Sequence, residues 1–266
     1  MRMLLVGDTH GNDRFFAQMC RLAVAENCDR LVQLGDFGYW EHYTEGKGYL
    51  KWCEKQLREN NLECYWLDGN HENHPLLWSA YGPDGRQYKP TKDGFWEIRQ
   101  GLYYMPRGHR WVWDDVSFLA LGGAYSIDKD YRAPGKSWWP TEMISEADIE
   151  AATAGGKVDV MFTHDAPDGG IIPSIKDQPN TMYPESLYNR ESLLEVVKAV
   201  KPYFLAHGHY HDRYTSHTSF PVGLNEDGTT LLWHKVQIEG LGADMSPFGE
   251  TSCVFDTETF RAAPRD

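Results

Sequence analysis

Cysteine is sparse and unpatterned in this sequence. The five residues, Cys20, Cys28, Cys53, Cys64 and Cys253, form no Cys-x-x-Cys pair, which argues against a thiolate metal cluster, and the odd count suits no disulfide framework. They are expected as reduced thiols in a cytoplasmic protein, mostly as small core residues. No apolar run approaches membrane length and no charged-then-apolar leader is present, so neither secretion nor anchoring is expected. Basic residues are outnumbered, 26 Lys and Arg against 39 Asp and Glu, and the formal charge of −13 disfavours charge-driven binding to duplex nucleic acid or anionic membrane. An anionic substrate stays open, because bound cations can reverse the potential locally. There is no internal repeat, low-complexity tail or polar linker, so the 266 residues are expected to form one domain.

What the chain does hold is an ordinary globular balance, 41% hydrophobic and 24% charged, with many aromatics: 14%, including ten Trp, some expected to line a cleft. Met3–Val6, Arg30–Leu34 and Leu62–Leu67 read as strands, separated by helices over residues 12–27 and Gly46–Glu59. Such alternation implies a largely parallel sheet with right-handed crossovers. Residues 73–94 read as a loop. From Phe95 short runs (FWEIR, LYYMP, RWVW, VSFLALGG) at hairpin-like intervals read as antiparallel strands that complete one sheet and begin a second. Further strands are expected at Val158–Thr163, Tyr203–Ala206, 213–219, 230–238 and 252–256, the last three in the second sheet. Helices are expected at Thr141–Thr153, capped by Thr141, and at Asn189–Val200. Two segments without periodicity, 126–140 and 165–188, read as lids over a site.

The strand ends carry the chemistry. Asp8 and His10 follow the first strand, Asp36 stands between glycines after the second, and Asn70 and His71 follow the third. In open α/β sheets ligands sit at this edge. His164 ends a later strand, and His207, His209 and His211 follow another. Imidazole, carboxylate and one amide oxygen, with no thiolate, suit Mn, Fe or Zn. Two cations about 3.5–4 Å apart need a shared ligand, and a carboxylate bridges well; Asp36, on the middle strand, is the natural choice.

These residues resemble the calcineurin-like metallophosphoesterase superfamily. The matches, in the family's order, are Asp8-Thr9-His10-Gly11, Gly35-Asp36, Gly69-Asn70-His71-Glu72, His164 and Gly208-His209-Tyr210-His211. The resemblance implies a four-layer αββα sandwich, two mixed β-sheets flanked by helices with the metal site at the carboxyl ends of strands, in agreement with the two-sheet reading. It implies one divalent cation held by Asp8, His10, Asp36 and His211 and a second by Asp36, Asn70, His164 and His209, with Mn favoured in vitro. His207, His209 and His211 compete for two of these places; Gly208 breaks the extended geometry, which favours the later pair and leaves His207 as a hydrogen-bonded strand-end residue. The implied chemistry is attack on phosphorus by a hydroxide bridging the metals, with His71 binding the phosphate and protonating the leaving oxygen. The bland alternative for His71 is a packing role behind the ligands.

One departure bears on substrate. Phosphoprotein phosphatases of the superfamily continue the second motif as Gly-Asp-x-Val-Asp-Arg-Gly, whereas this chain reads Gly35-Asp36-Phe37-Gly38-Tyr39-Trp40-Glu41. Tyr39 replaces the Asp that would orient the catalytic His, and Trp40 the Arg that would grip phosphate; Glu72 alone echoes those enzymes. A phosphodiesterase acting on small esters, nucleotides or cyclic nucleotides among them, is therefore favoured over a phosphomonoesterase or phosphoprotein phosphatase. The third alternative is a catalytically silent scaffold with the same fold. His74, Tyr125, Tyr131, Arg132, Trp138 and Trp139 are expected near the substrate, where the aromatics would stack a base or simply cover sheet edges.

Overall fold

The computed structural model describes residues 1–40, 44–79, 87–177 and 183–263. Glu41, residues 80–86 of the loop region and 178–182 of the second lid lie outside them. β1 (Arg2–Val6) leads through α1 (Asp13–Ala25) to β2 (Arg30–Gln33), then through α2 (Thr44–Asn60) to β3 (Cys64–Trp66). These three strands pair in parallel, Leu4 opposite Leu31 and Leu31 opposite Cys64. Asn12 starts α1 as an N-cap, its side chain accepting the Phe15 N–H at 3.1 Å. After α3 (His74–Trp78), β4 (Lys89–Pro90), β5 (Trp96–Arg99) and β6 (Leu102–Tyr104) extend this sheet, while β7 (Arg110–Trp113) and β8 (Val116–Leu121) open the second. There follow α4 (Glu146–Thr153), β9 (Val160–Thr163), α5 (Pro184–Val200), β10 (Phe204–His207), β11 (Tyr214–Leu224), β12 (Leu231–Gly240), β13 (Ser252–Asp256) and β14 (Arg261–Ala263). The eight-stranded sheet runs β14-β13-β1-β2-β3-β6-β5-β4 and the six-stranded sheet β11-β12-β10-β9-β8-β7.

Alternation along the strands sorts the core into three layers. On β1, Leu4 and Val6 join Phe16 and Met19 of α1 and Leu50 of α2. Met3 and Leu5 face the other way and join Phe118, Phe162 and Phe204 between the sheets. Met161 and Leu205 pack with Leu193 and Val197 of α5 beyond the second sheet. Burying each such side chain stabilises by roughly 1.5–3 kcal/mol. Helix, sheet, sheet, helix is the four-layer αββα sandwich. No helix among the described residues is long and apolar enough to cross a membrane.

Four expectations require correction. The strand at 252–256 belongs to the first sheet, where Cys253 pairs opposite Leu5 of β1. The helix expected from Thr141 starts after Ser145, whose hydroxyl accepts from Asp148 N–H while the Asp148 carboxylate accepts the Ser145 N–H, a capping box. The carbonyls of Thr141, Glu142 and Met143 instead accept from Arg107. The last long helix begins at Pro184, where proline suits a first helical turn, so the second lid ends earlier than expected. The loop over 73–94 contains the short helix α3, capped by Asn73.

Candidate metal centre

The turns after β1, β2, β3, β9 and β10 converge on one spot. Asp8 Oδ2 lies 3.1 Å from His211 Nε2 and 3.9 Å from His10 Nε2. Asp36 Oδ2 is 3.6 Å from His10 Nε2, its Oδ1 is 3.4 Å from His164 Nε2, and His164 Nε2 is 3.0 Å from Asn70 Oδ1. Donor atoms of Asp8, His10 and His211, and separately of Asp8, Asp36 and His164, all lie within 4.8 Å of one another. Asp8, expected at one position only, is common to both groups. His209 joins neither; its N–H donates to Asp8 Oδ1 at 3.1 Å and its ring lies 5.0 Å from that of His164.

Tight turns with unusual backbone achieve this convergence. Ten described non-glycine residues have positive φ, and four of them are His10 (43°), Asp36 (50°), His209 (67°) and His211 (57°). Left-handed conformations concentrated at one place in non-glycine residues mark a functional site. Gly69 and Gly208 let the turns close: a Cβ on Gly69 would stand 2.2 Å from Asp36 Oδ1, and one on Gly208 2.1 Å from Asp8 Oδ1.

The far ends of three donor groups are held by partners. His164 Nδ1 donates to the Leu34 carbonyl at 2.8 Å, and His10 Nδ1 donates to Asp244 Oδ1 at 3.0 Å. Asp244 is steadied in turn by the Asn12 amide at 2.8 Å. Asn70 Nδ2 donates to Ser126 Oγ at 2.9 Å. The second heteroatom of each imidazole is left pointing at the carboxylates and that of Asn70 at His164 Nε2, as in sites where outer partners orient ligands. Burial by itself would raise both carboxyl groups, but the imidazoles outweigh it. His71, His164 and His10 hold Asp36 well below the usual carboxylate range, and a hydrogen bond from His211 with the charge of His164 lowers Asp8. Burial likewise opposes charge on His10 and His164, yet Asp36 and Asp8 lift both to about 10. Two buried carboxylates thus demand positive charge between them, and the nitrogen and oxygen donor set fits divalent cations.

His71 is tied by its backbone. Its N–H donates to Asp36 Oδ1 at 2.9 Å, and its carbonyl accepts the Trp40 indole N–H at 2.7 Å. Its Nε2 faces Asp36 at 3.8 Å and the guanidinium of Arg132. Burial first, then Arg132 and His10, lower its pKa against the pull of Asp36. Tyr39 is buried beside Trp66, with its hydroxyl against that of Tyr88. Glu72 accepts the Gly38 N–H at 2.9 Å and the Gly69 N–H at 2.6 Å, tying two of the turns together.

A cleft of about 550 Å³ opens beside this centre, its floor including Asp36, Asn70, His71, His209 and His211. Ile127, Asp128 and Arg132 come from the first lid segment; Ser174 and Ile175 come from the second, and Tyr183 and Ser186 from the start of α5. Arg132 pairs with Asp128 at 2.8 Å. It is the one residue of the expected substrate set on the cleft lining. His74 is fully buried, its Nε2 2.9 Å from the Gly69 carbonyl and 3.4 Å from Asp68, because α3 turns it inward. Tyr125 and Trp139 are buried, Tyr125 beneath Lys129 at 4.8 Å; Trp138 is half-buried and Tyr131 is 93% exposed. His207 is buried with Nδ1 donating to the Gly208 carbonyl at 2.9 Å and Nε2 accepting from Tyr214 at 2.6 Å. Sequence reasoning missed Asp244, Ser126 and Glu142 as partners and Asp128 on the cleft wall; single acids and a serine in turns give no pattern to find.

The family model for calcineurin-like phosphoesterases matches residues 1–213. Among solved structures, TT1561 of Thermus thermophilus is 12% identical with a TM-score of 0.54, covering 98% of this chain and 96% of its own. A dimetal phosphatase from Danio rerio is 13% identical with a TM-score of 0.53, covering 96% and 91%. At these identities the likeness speaks to the fold. No curated protein matches the sequence. Since the matched stretch includes every strand-end residue from Asp8 to His211, the chain belongs to the calcineurin-like phosphoesterase family.

Proposed function

We propose that the protein is a phosphodiesterase dependent on two divalent cations, acting on small phosphate esters, nucleotides among them. Asp8, His10, Asp36 and His211 would hold one cation and Asp36, Asn70, His164 and His209 the other. The observation that carries this reading is the orientation of the donors: Leu34 and Asp244 take the far ends of His164 and His10 and leave their near ends toward Asp36 and Asp8, and Ser126 takes the far end of Asn70 and leaves its oxygen toward His164. When bound, such cations supply positive charge for the phosphate and acidify the attacking water.

The chain's own residues do the rest. His71 Nε2 stands at the cleft, and an anionic phosphate brought beside it favours its protonated form, ready to protonate the leaving oxygen. Trp40 and Asp36 fix the backbone of His71, so its ring is placed before substrate arrives. Arg132 offers N–H groups to a phosphate oxygen from the cleft wall, where Ile127 and Ile175 also line the cleft. The diester preference rests on Tyr39 and Trp40, which occupy the places where phosphoprotein phosphatases carry Asp and Arg. We read the chain as one domain. Its five cysteines are buried and unbridged, in keeping with a cytoplasmic protein.

The test compares a bis-aryl and a mono-aryl phosphate, with a panel of cyclic nucleotides, across added Mn, Fe and Zn. Faster diester turnover, greatest with Mn, is expected. A mono-aryl preference would move the assignment to a phosphomonoesterase, and no turnover with any metal would leave a silent scaffold.

A further inference from the structure

Asn70 is the one proposed ligand that ends in an amide, whose oxygen and nitrogen are alike in shape, so nothing steric decides which of them faces the metal centre. Hydrogen bonding does decide it. Ser126 N–H donates to Glu142 Oε1 at 2.9 Å, and the Ser126 hydroxyl donates to Glu142 Oε2 at 2.5 Å. A carboxylate has no proton to return, so the serine hydroxyl proton is committed to Glu142 and its oxygen is left as an acceptor. Only the Nδ2 of Asn70 can meet that oxygen, and it does so at 2.9 Å, which turns Oδ1 toward His164. A reversed amide would set two oxygens together with no hydrogen between them. All three residues are buried, at 3% exposure or less, so water cannot substitute for a missing partner at low cost.

The relay is anchored at its outer end. Arg107, in the turn before β7, donates to the carbonyls of Glu142 at 3.0 Å and Met143 at 2.7 Å. Its Nε donates to Asp68 Oδ2 at 2.8 Å, and Asp68 also accepts from Tyr104 at 2.8 Å. Glu142 is thereby held at a fixed place relative to Asp68, which lies just before Asn70 in the chain. The segment beyond β8 that holds the Asn70 amide is thus itself tied to the turn that carries Asn70.

We infer that Glu142 and Ser126 are positioning residues that set the polarity of the Asn70 amide, so that its oxygen rather than its nitrogen is offered to a divalent cation. The inference rests on the reading of Asn70 as a ligand. Glu142→Gln keeps the shape but brings a donor to Ser126, which frees the hydroxyl proton for Asn70 and favours the reversed amide. Ser126→Ala removes the acceptor altogether.

The experiment titrates the metal-stripped 266-residue chain with Mn²⁺ by calorimetry and by electron spin resonance. Glu142→Gln and Ser126→Ala should each weaken one of two cations by about 10–100-fold and leave the other unchanged. A merely structural role would not produce loss at one position with the other intact. Ser126→Ala deletes a single oxygen and carries the test alone if Glu142→Gln does not fold. If Asn70→Ala loses one cation while Ser126→Ala binds both as the parent does, the inference is overturned and the ligand assignment stands. If Asn70→Ala also binds both cations normally, the ligand assignment falls and takes the inference with it.

Discussion

The two halves of the candidate metal centre are built at different depths. The side chains of Asp36 and His164 are 3% and 0% exposed, whereas those of His10 and His211 are 23% and 48% exposed; Asp8, at 0%, lies close to both groups. The inner half takes its orientation from the Leu34 main chain and a closed relay through Ser126, so the fold itself sets it before any ligand arrives. The outer half depends on a single side chain, Asp244, and on an imidazole that reaches into solvent. The difference teaches that one position is preorganised and the other adjustable, and the outer cation is expected to exchange faster.

The most damaging test of that contrast is Asp36→Asn, which removes the carboxylate both proposed positions share. Metal-dependent diester hydrolysis should fall by about a thousandfold, ~4 kcal/mol of barrier, and a rate within tenfold of the parent would break the comparison. Next come His164→Ala and His211→Ala, which strike one half each. Each should reduce Mn²⁺ stoichiometry from two to one, with affinity at the struck position down by more than about a hundredfold, since losing a ligand exceeds losing its supporting partner. The cation retained in His211→Ala should be the slowly exchanging one. Smaller again, Asp244→Ala should weaken only the outer cation, by about 10–100-fold in the same titration.

The smallest effect is on pH and stability without metal. His10 and His164 are lifted from 6.5 to about 10 by the carboxylates, so the stability they contribute is complete below pH 6.5 and fades as pH rises through 10. The melting temperature of chelator-treated protein is expected to decline over that window. Saturating Mn²⁺ should flatten the decline, because metal then supplies the positive charge that protons no longer provide.

The strand ends were legible in the sequence because glycine and acid or imidazole at the close of an apolar run is a local pattern, and local patterns survive folding. The unbroken apolar run at Met3, Leu4, Leu5 and Val6 foretold a buried strand. What could not be read was decided by partners far along the chain. β13 is a short apolar strand that suits either sheet; its place follows from Cys253 and Phe255 joining Met3 and Leu5 between the sheets. Thr141 is a good capping residue, but Arg107 claims the carbonyls that a helix there would use. Proximity to the third motif suggested His74 for substrate, and α3 turned it into the core. Asp244 is 234 positions from the imidazole it orients, and nothing in its neighbours marks it.

β1, which presents Asp8, is flanked by β2 on one side and on the other by β13, at Ser252–Asp256, well past the end of the family match at residue 213. An excised fragment stopping near that boundary would lay bare the hydrogen-bonding edge of the very strand that presents Asp8. It would also strip His10 of its carboxylate and β10 of its neighbour β12. Any minimal working version of this protein must therefore keep its tail, although the tail carries none of the recognisable motifs.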